Sequence, residues 1–249
     1  MSLKNIYFVG NWKMNGSFNS IEFLKKLLFF AKKNGKYGNF KIILCIPNLL
    51  ISYFRFFIKK PLLDLGVQNF SSVKKDYGPY TGQISPKMVK SCGANYVILG
   101  HSELRKVGEN NKIIKKKLEL ATQNNLKVIL CVGEDYLCYK KLGSIKYILN
   151  QLKVLSKKTI KNTIIAYEPI WSIGTGKIPS IDYINKIFNK IRIFTKKRYL
   201  MSPKLLYGGS VNESNINNLR NIENCQGFLV GGSSLQYKSF TKLIKNYYK

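Results

Sequence analysis

Residues 163–176 read TIIAYEPIWSIGTG. Five residues, Thr163 to Tyr167, form a near-continuous apolar run, which marks a strand buried on both faces rather than one exposed to water on alternate positions. The run stops at Glu168-Pro169, a carboxylate held by a proline. An apolar segment with two glycines, Trp171 to Gly176, then occupies what should be a loop facing solvent. Runs of the same kind occur at 6–10, 42–46, 62–67, 96–99, 127–132, 204–207 and 228–230, so the chain has eight candidate strands. Segments with helical spacing lie between them, such as Ile21, Leu24, Leu27, Leu28 and Ala31, or Ile181, Ile184, Ile187, Phe188 and Ile191. The order is strand then helix, repeated. Eight parallel strands with intervening helices close into a (β/α)8 barrel, with an open doubly wound sheet as the alternative.

The residues that end the strands favour the barrel. Polar or glycine-rich clusters come directly after the apolar runs: Asn11-Trp12-Lys13, Gln68-Asn69, His101-Ser102-Glu103, Glu134, Glu168-Pro169, Gly208-Gly209-Ser210 and Gly231-Gly232. In a barrel these carboxyl ends meet on one face, where sites are built. Helix starts are marked by Ser20, by Ser85-Pro86 opening a helix over 86–92, and by Ser180. Segment 70–84 is polar, carries glycine and lacks periodicity. It is expected to be a long loop, and long loops in compact domains usually serve function. No linker or shift of composition divides the chain. Its 249 residues fit one barrel domain over 1–249, since such barrels commonly use about 250.

With 45% hydrophobic residues the chain can bury a large core, which argues against a disordered or fibrous class. The 42 Lys and Arg against 12 Asp and Glu give a formal charge of +30, a balance that invites a nucleic-acid reading. The lysines are spread in short groups, Lys32-Lys33, Lys115 to Lys117 and Lys157-Lys158, on the polar side of amphipathic runs, which favours solvated helix faces over a nucleic-acid surface. Such a charge would still attract a small anionic substrate. Five cysteines, Cys45, Cys92, Cys131, Cys138 and Cys225, form no CxxC pair and have a single histidine beside them, so neither a disulfide framework nor a metal site is supported. The stretch from Lys4 to Lys13 has no signal-peptide pattern, and no apolar run approaches the ~18 residues that span a bilayer. The expected setting is soluble, reducing and cytoplasmic, with no membrane partner.

Two side chains are candidates for chemistry. Glu168, placed after a buried strand, can act as a general base because partial burial raises a carboxyl pKa toward the working range; the competing reading is a salt-bridged structural Glu. His101, the sole histidine, ends the fourth strand, although a lone His is more often structural or a surface residue. Lys13 differs from the other lysines in coming so soon after a buried strand. The segment Trp171 to Gly176 makes sense as a lid that excludes water. Gly208-Gly209-Ser210 and Gly231-Gly232 can present backbone N–H groups at close quarters to a phosphate, and the ends of strands seven and eight are the usual phosphate site of such a barrel.

The words NWKMN (11–15), GHSE (100–103), AYEPIWSIGTG (166–176), YGGSV (207–211) and LVGGSSL (229–235) resemble those of the triosephosphate isomerases, in the same order and over essentially the whole chain. The resemblance implies a (β/α)8 barrel that interconverts dihydroxyacetone phosphate and glyceraldehyde 3-phosphate without metal or cofactor. It implies that Glu168 moves the proton, that neutral His101 polarises the substrate oxygens, that Lys13 supplies positive charge and that Asn11 positions the substrate. Glu103 would hold Lys13 or the catalytic Glu. The phosphate would sit on backbone N–H groups of Gly174, Ser210, Gly231 and Gly232. Trp171 and Tyr207 would support the lid. Cys131 matches a family cysteine near the base and is taken as packing, not nucleophile.

A homodimer is also implied, with loop 70–84 as the arm that enters the partner and Thr81 at its tip. Here the chain departs from the family. Gln83 stands for the usual Glu and Leu104 for the usual Arg, so both halves of an interface ion pair are absent together, which costs far less than stranding one buried charge. The segment between Arg105 and Glu109 is one residue short. Pro179 ends the lid where the family has Ala, and a proline has no N–H to give the Tyr207 hydroxyl. Closure is then expected to rely on Ser210, Gly174 and packing of Trp171 and Ile173. Another phosphate-binding barrel enzyme and an inactive barrel remain as alternatives, since fold alone does not give the reaction.

Overall fold

The computed structural model describes residues 5–34, 40–59 and 62–249; Lys4, at the start of the N-terminal stretch, lies outside them. Among the described residues eight strands pair in chain order into a closed parallel barrel. They are β1 (Ile6–Asn11), β2 (Phe40–Ile46), β3 (Leu63–Val67), β4 (Tyr96–Leu99), β5 (Lys127–Val132), β6 (Thr163–Tyr167), β7 (Leu205–Tyr207) and β8 (Gly227–Val230). Every run expected from sequence is a strand, with ends shifted by a residue or two. The ring is sealed where Tyr7 to Gly10 of β1 pair with Gly227 to Val230 of β8.

The near-continuous apolar runs have a direct cause. Alternate strand residues face opposite sides, and both sides are dry. Val9, Ile43, Cys45, Tyr96, Ile98, Ile129, Cys131, Ile164, Ala166, Leu206 and Leu229 fill the barrel interior. The residues between them, such as Phe8, Ile42, Leu44, Val97, Leu130 and Ile165, pack under the outer helices. Each fully buried Leu, Ile or Phe contributes roughly 1.5–3 kcal/mol relative to exposure.

The helices are α1 (Ile21–Asn34), α2 (Ile51–Phe57), α3 (Pro86–Ser91), α4 (Ser102–Lys106), α5 (Asn111–Gln123), α6 (Tyr136–Lys140), α7 (Ser144–Leu152), α8 (Ile181–Tyr199), α9 (Ile216–Leu219) and α10 (Tyr237–Tyr247). Ser85 and Ser180 cap as expected, accepting the N–H of Met88 and Tyr183, each at 3.2 Å. Ser20 acts one step earlier: it closes a 3-10 turn over Phe18–Ser20 by accepting the Ser17 N–H at 3.0 Å. Segment 70–84 contains neither helix nor strand, and its base is closed by Ser71 N–H donating to Ile84 O at 2.9 Å. One member of the lysine runs is not solvated. Lys117 is buried on the inner side of α5 against Glu109 and also reaches Asn69 Oδ1 at 2.7 Å. Among the described residues no helix is long and apolar enough to cross a membrane.

Candidate active site

Strand parity sets which side chains reach the mouth of the barrel. Ile164 and Ala166 point inward, so Glu168 does too, and it is buried there. Val9 points inward, so Asn11 does as well; Leu206 and Leu229 place Gly208 and Gly231 in the same ring. His101 breaks the rule, because Ile98 would send position 100 inward and 101 outward. Gly100 at φ 71 reverses this by turning the chain out of β4; that left-handed conformation is open to glycine at little cost. Two other glycines are required by close approach. A Cβ on Gly133 would collide with the Glu168 backbone, and one on Gly208 would stand 2.8 Å from Glu168 Cγ.

The structure brings the predicted groups together. Glu168 Oε1 lies 3.5 Å from His101 Nε2. Glu103 N–H donates to His101 Nδ1 at 3.3 Å. A ring nitrogen that accepts carries no proton, so a neutral His101 holds its hydrogen on Nε2, facing Glu168 and the cavity. Lys13 Nζ donates to Glu103 Oε1 at 2.6 Å, and Lys13 N–H donates to Asn11 Oδ1 at 3.2 Å. Lys13 sits at φ 53, a strained conformation for a lysine and one typical of sites where position matters more than comfort.

Burial pushes the Glu168 carboxyl above the ordinary range, against the opposing pull of His101 and Lys13. At Glu103 partial burial is outweighed by the hydrogen bond from Lys13 and by nearby positive charge, so its carboxyl is held down. Burial raises the Cys131 thiol well above its ordinary value, which leaves it protonated and suited to packing.

Asn11, Lys13, His101 and Glu168 line a cavity of about 360 Å³ shared with Ile173, Gly174, Gly209, Ser210, Gly231 and Gly232. A Cβ at Gly231 or Gly232 would meet nothing within 4 Å, so packing does not explain these glycines, whereas Gly174 is called for by its left-handed φ of 71. Their bare backbone leaves N–H groups open to an anion. Over the cavity the lid begins at a 3-10 turn, Ile170–Ser172. Trp171 stacks on Tyr139 with ring centroids 4.5 Å apart, and its Nε1 lies 3.4 Å from Glu134 Oε1. Glu134 is wholly buried, accepts Tyr167 and Tyr183 hydroxyls at 3.0 and 3.3 Å, and is raised by burial. Thr81 stands apart, exposed at the tip of loop 70–84. Two polar anchors are not evident from sequence. Glu134 shows there only as a strand-end carboxylate, and Ser172 only as a polar residue inside an apolar stretch.

The chain matches the triosephosphate isomerase family model over residues 6–247. It is 36% identical to the triosephosphate isomerase of Buchnera aphidicola subsp. Baizongia pistaciae over 98% of this chain and 100% of that one. With the enzyme of the same name from Wolbachia pipientis wMel it shares 38% identity over 95% of this chain and 92% of the relative. The crystal structure of triosephosphate isomerase from Bartonella henselae superposes with a TM-score of 0.84 at 33% identity, covering 98% and 99% of the two chains. Fold, strand-end residues and likeness along the full length agree: the chain belongs to the triosephosphate isomerase family.

Proposed function

We propose that Glu168 is the base of the family's reaction, the interconversion of dihydroxyacetone phosphate and glyceraldehyde 3-phosphate. The carboxylate takes a proton from the carbon next to the carbonyl, the C–H electron pair forms the C=C bond of an enediolate, and the carbonyl oxygen takes the negative charge. His101 Nε2–H donates to that oxygen. The proton then returns from Glu168 to the neighbouring carbon. Lys13 supports the developing charge, Asn11 positions the substrate, and Glu103 holds Lys13. Fixed donors stabilise charge that appears only in the transition state, which is where they accelerate a reaction. The backbone N–H groups of Gly174, Ser210, Gly231 and Gly232 hold the phosphate, and the lid over them keeps water from the enediolate. The observation that carries this reading is the facing of Glu168 and a His101 whose tautomer is set by the Glu103 N–H.

The same reading takes residues 1–249 as one domain, working in the cytoplasm as a homodimer joined through loop 70–84. Five cysteines without a disulfide suit a reducing compartment. Support for the dimer comes from a cavity of about 450 Å³ beside the loop, lined in part by Gln83, Leu104 and Val107, together with Met14, which is 97% exposed. Gln83 and Leu104 line the same cavity, so the missing charges have vanished from one place.

Assay of the purified protein in both directions tests the mechanism. Glu168→Gln is expected to fold and to lose about 10²–10⁴-fold in turnover, the usual worth of a positioned base. Near-normal turnover of that variant removes Glu168 from the mechanism.

A further inference from the structure

Ser172 lies between Trp171 and Ile173 and is wholly buried. A serine hydroxyl has one proton to give and two lone pairs. All three have partners here. Oγ donates to Lys177 O at 2.5 Å, accepts Ser210 N–H at 3.3 Å and lies 3.4 Å from Tyr207 Oη. Among the described residues Tyr207 Oη has no other hydrogen-bond partner, and burial raises this phenol to about 12, so it stays a donor at neutral pH. The three partners belong to three parts of the site. Lys177 is the far side of the lid, Ser210 belongs to the phosphate loop, and Tyr207 ends the strand that pairs with the strand carrying Glu168.

The lid between these anchors is hydrogen-bonded to itself. Thr175 Oγ1 donates to Ser172 O at 3.1 Å and accepts Lys177 N–H at 3.2 Å. Residues 172–177 therefore form one body, and Ser172 is where it touches the floor. Gly209 is packed onto that contact: a Cβ there would collide with Tyr207 Oη and stand 2.8 Å from Ser172 Oγ.

We infer that Ser172 is a positioning residue: its hydroxyl ties the lid stem to the phosphate loop and fixes the place of Ser210, whose N–H, held only by a long 3.3 Å contact to Oγ, is shared with the phosphate in a three-centre bond. The inference rests on the proposed role of Ser210 in holding phosphate. Without the hydroxyl, Ser210 N–H and Lys177 O lose their shared partner and can reorient, so the loss falls on ligands that carry phosphate.

Ser172→Ala, Tyr207→Phe and the double variant test this. Ser172→Ala is expected to fold and to lose about 10–100-fold in kcat/KM, because the bonds to Lys177 O and Ser210 N–H, about tenfold each at most, are lost together with the weaker one to Tyr207. The loss is expected in KM and in the inhibition constant of 2-phosphoglycolate, with kcat within about threefold. Tyr207→Phe should cost about threefold, and the double variant no more than Ser172→Ala, since the phenol has then lost its partner already. Ser172→Cys keeps the volume but is a poor donor and acceptor, and it should behave like Ala. Wild-type KM in the Cys variant would show a packing role and overturn the inference, as would additive losses in the double variant or a loss confined to kcat. The mechanism itself fails separately, through an active Glu168→Gln.

Discussion

Taken as a single residue, Glu168 has energetics that run against the stability of the fold. Its carboxyl is raised by burial in the folded chain, relative to about 4.3 for a free Glu. Between the unfolded and folded pKa values the native state binds more protons than the unfolded one, so stability falls as pH rises through that window. Below the window the cost of the buried charge is absent; above it the cost is complete. Glu168→Gln removes the charge, so the variant should melt higher than the wild type at pH 7, with the gap closing as pH falls through the window. Melting curves of both proteins at several pH values check this, and a gap independent of pH would contradict it. A base made stronger by its dry surroundings is then maintained at the expense of the fold that holds it. Much of this residue's role is legible in the sequence, because strand parity carries inward facing from Ile164 to Glu168. His101 is less so: parity sends it outward, and only the φ of Gly100 corrects this. The φ of Lys13 leaves no mark in the sequence at all.

Among the strands, loops and helices, the strands are legible because they are dry on both faces, and their composition records that. The lid is legible as an apolar stretch but not as a hydrogen-bonded body, because the partners of Ser172 lie 35 and 38 residues away at Tyr207 and Ser210. Helix ends are a middle case. Ser85 and Ser180 announce their caps, whereas α8 stops at Leu200, whose φ of 59 is left-handed and whose side chain is 77% exposed. A glycine is the ordinary residue for that position, since a Cβ there is strained. Leu200→Gly should stabilise the fold by about 0.5–1 kcal/mol, allowing for the greater freedom glycine has in the unfolded chain. For a chain of this size that is a rise of about 1–4 °C in melting temperature by calorimetry. A fall would mean that Leu200 makes contacts worth more than the strain.

For the molecule as an assembly, exposed apolar side chains bear on the proposed dimer. Tyr77 in loop 70–84, Val107 beside the cavity it shares with Gln83, and Met14 are large apolar side chains left exposed. Sedimentation at micromolar concentration is expected to give a dimer, and Thr81→Trp at the loop tip should shift the mass toward monomer and cut activity at least tenfold, because the arm is proposed to enter the partner subunit. A fully active monomer would end the proposal. The sequence shows the exposed loop, but the cavity that Gln83 and Leu104 share is formed by residues far apart in the chain and is visible only in the fold.

The seam between β1 and β8 has a consequence for how the protein comes into being. A parallel pair satisfies its backbone groups only when both strands are present. β1 is made first, and on one side its N–H and C=O groups have no partner until residue 227 and beyond have left the ribosome. The strand ends bearing Asn11 and Gly231 then meet for the first time. The reaction site therefore cannot assemble before β8 is made, and a message truncated before β8 yields a chain with an open edge on β1 and another on β7, the kind of edge that pairs with other chains. Pairing of the last strand with the first at once closes the ring and completes the mouth of the barrel.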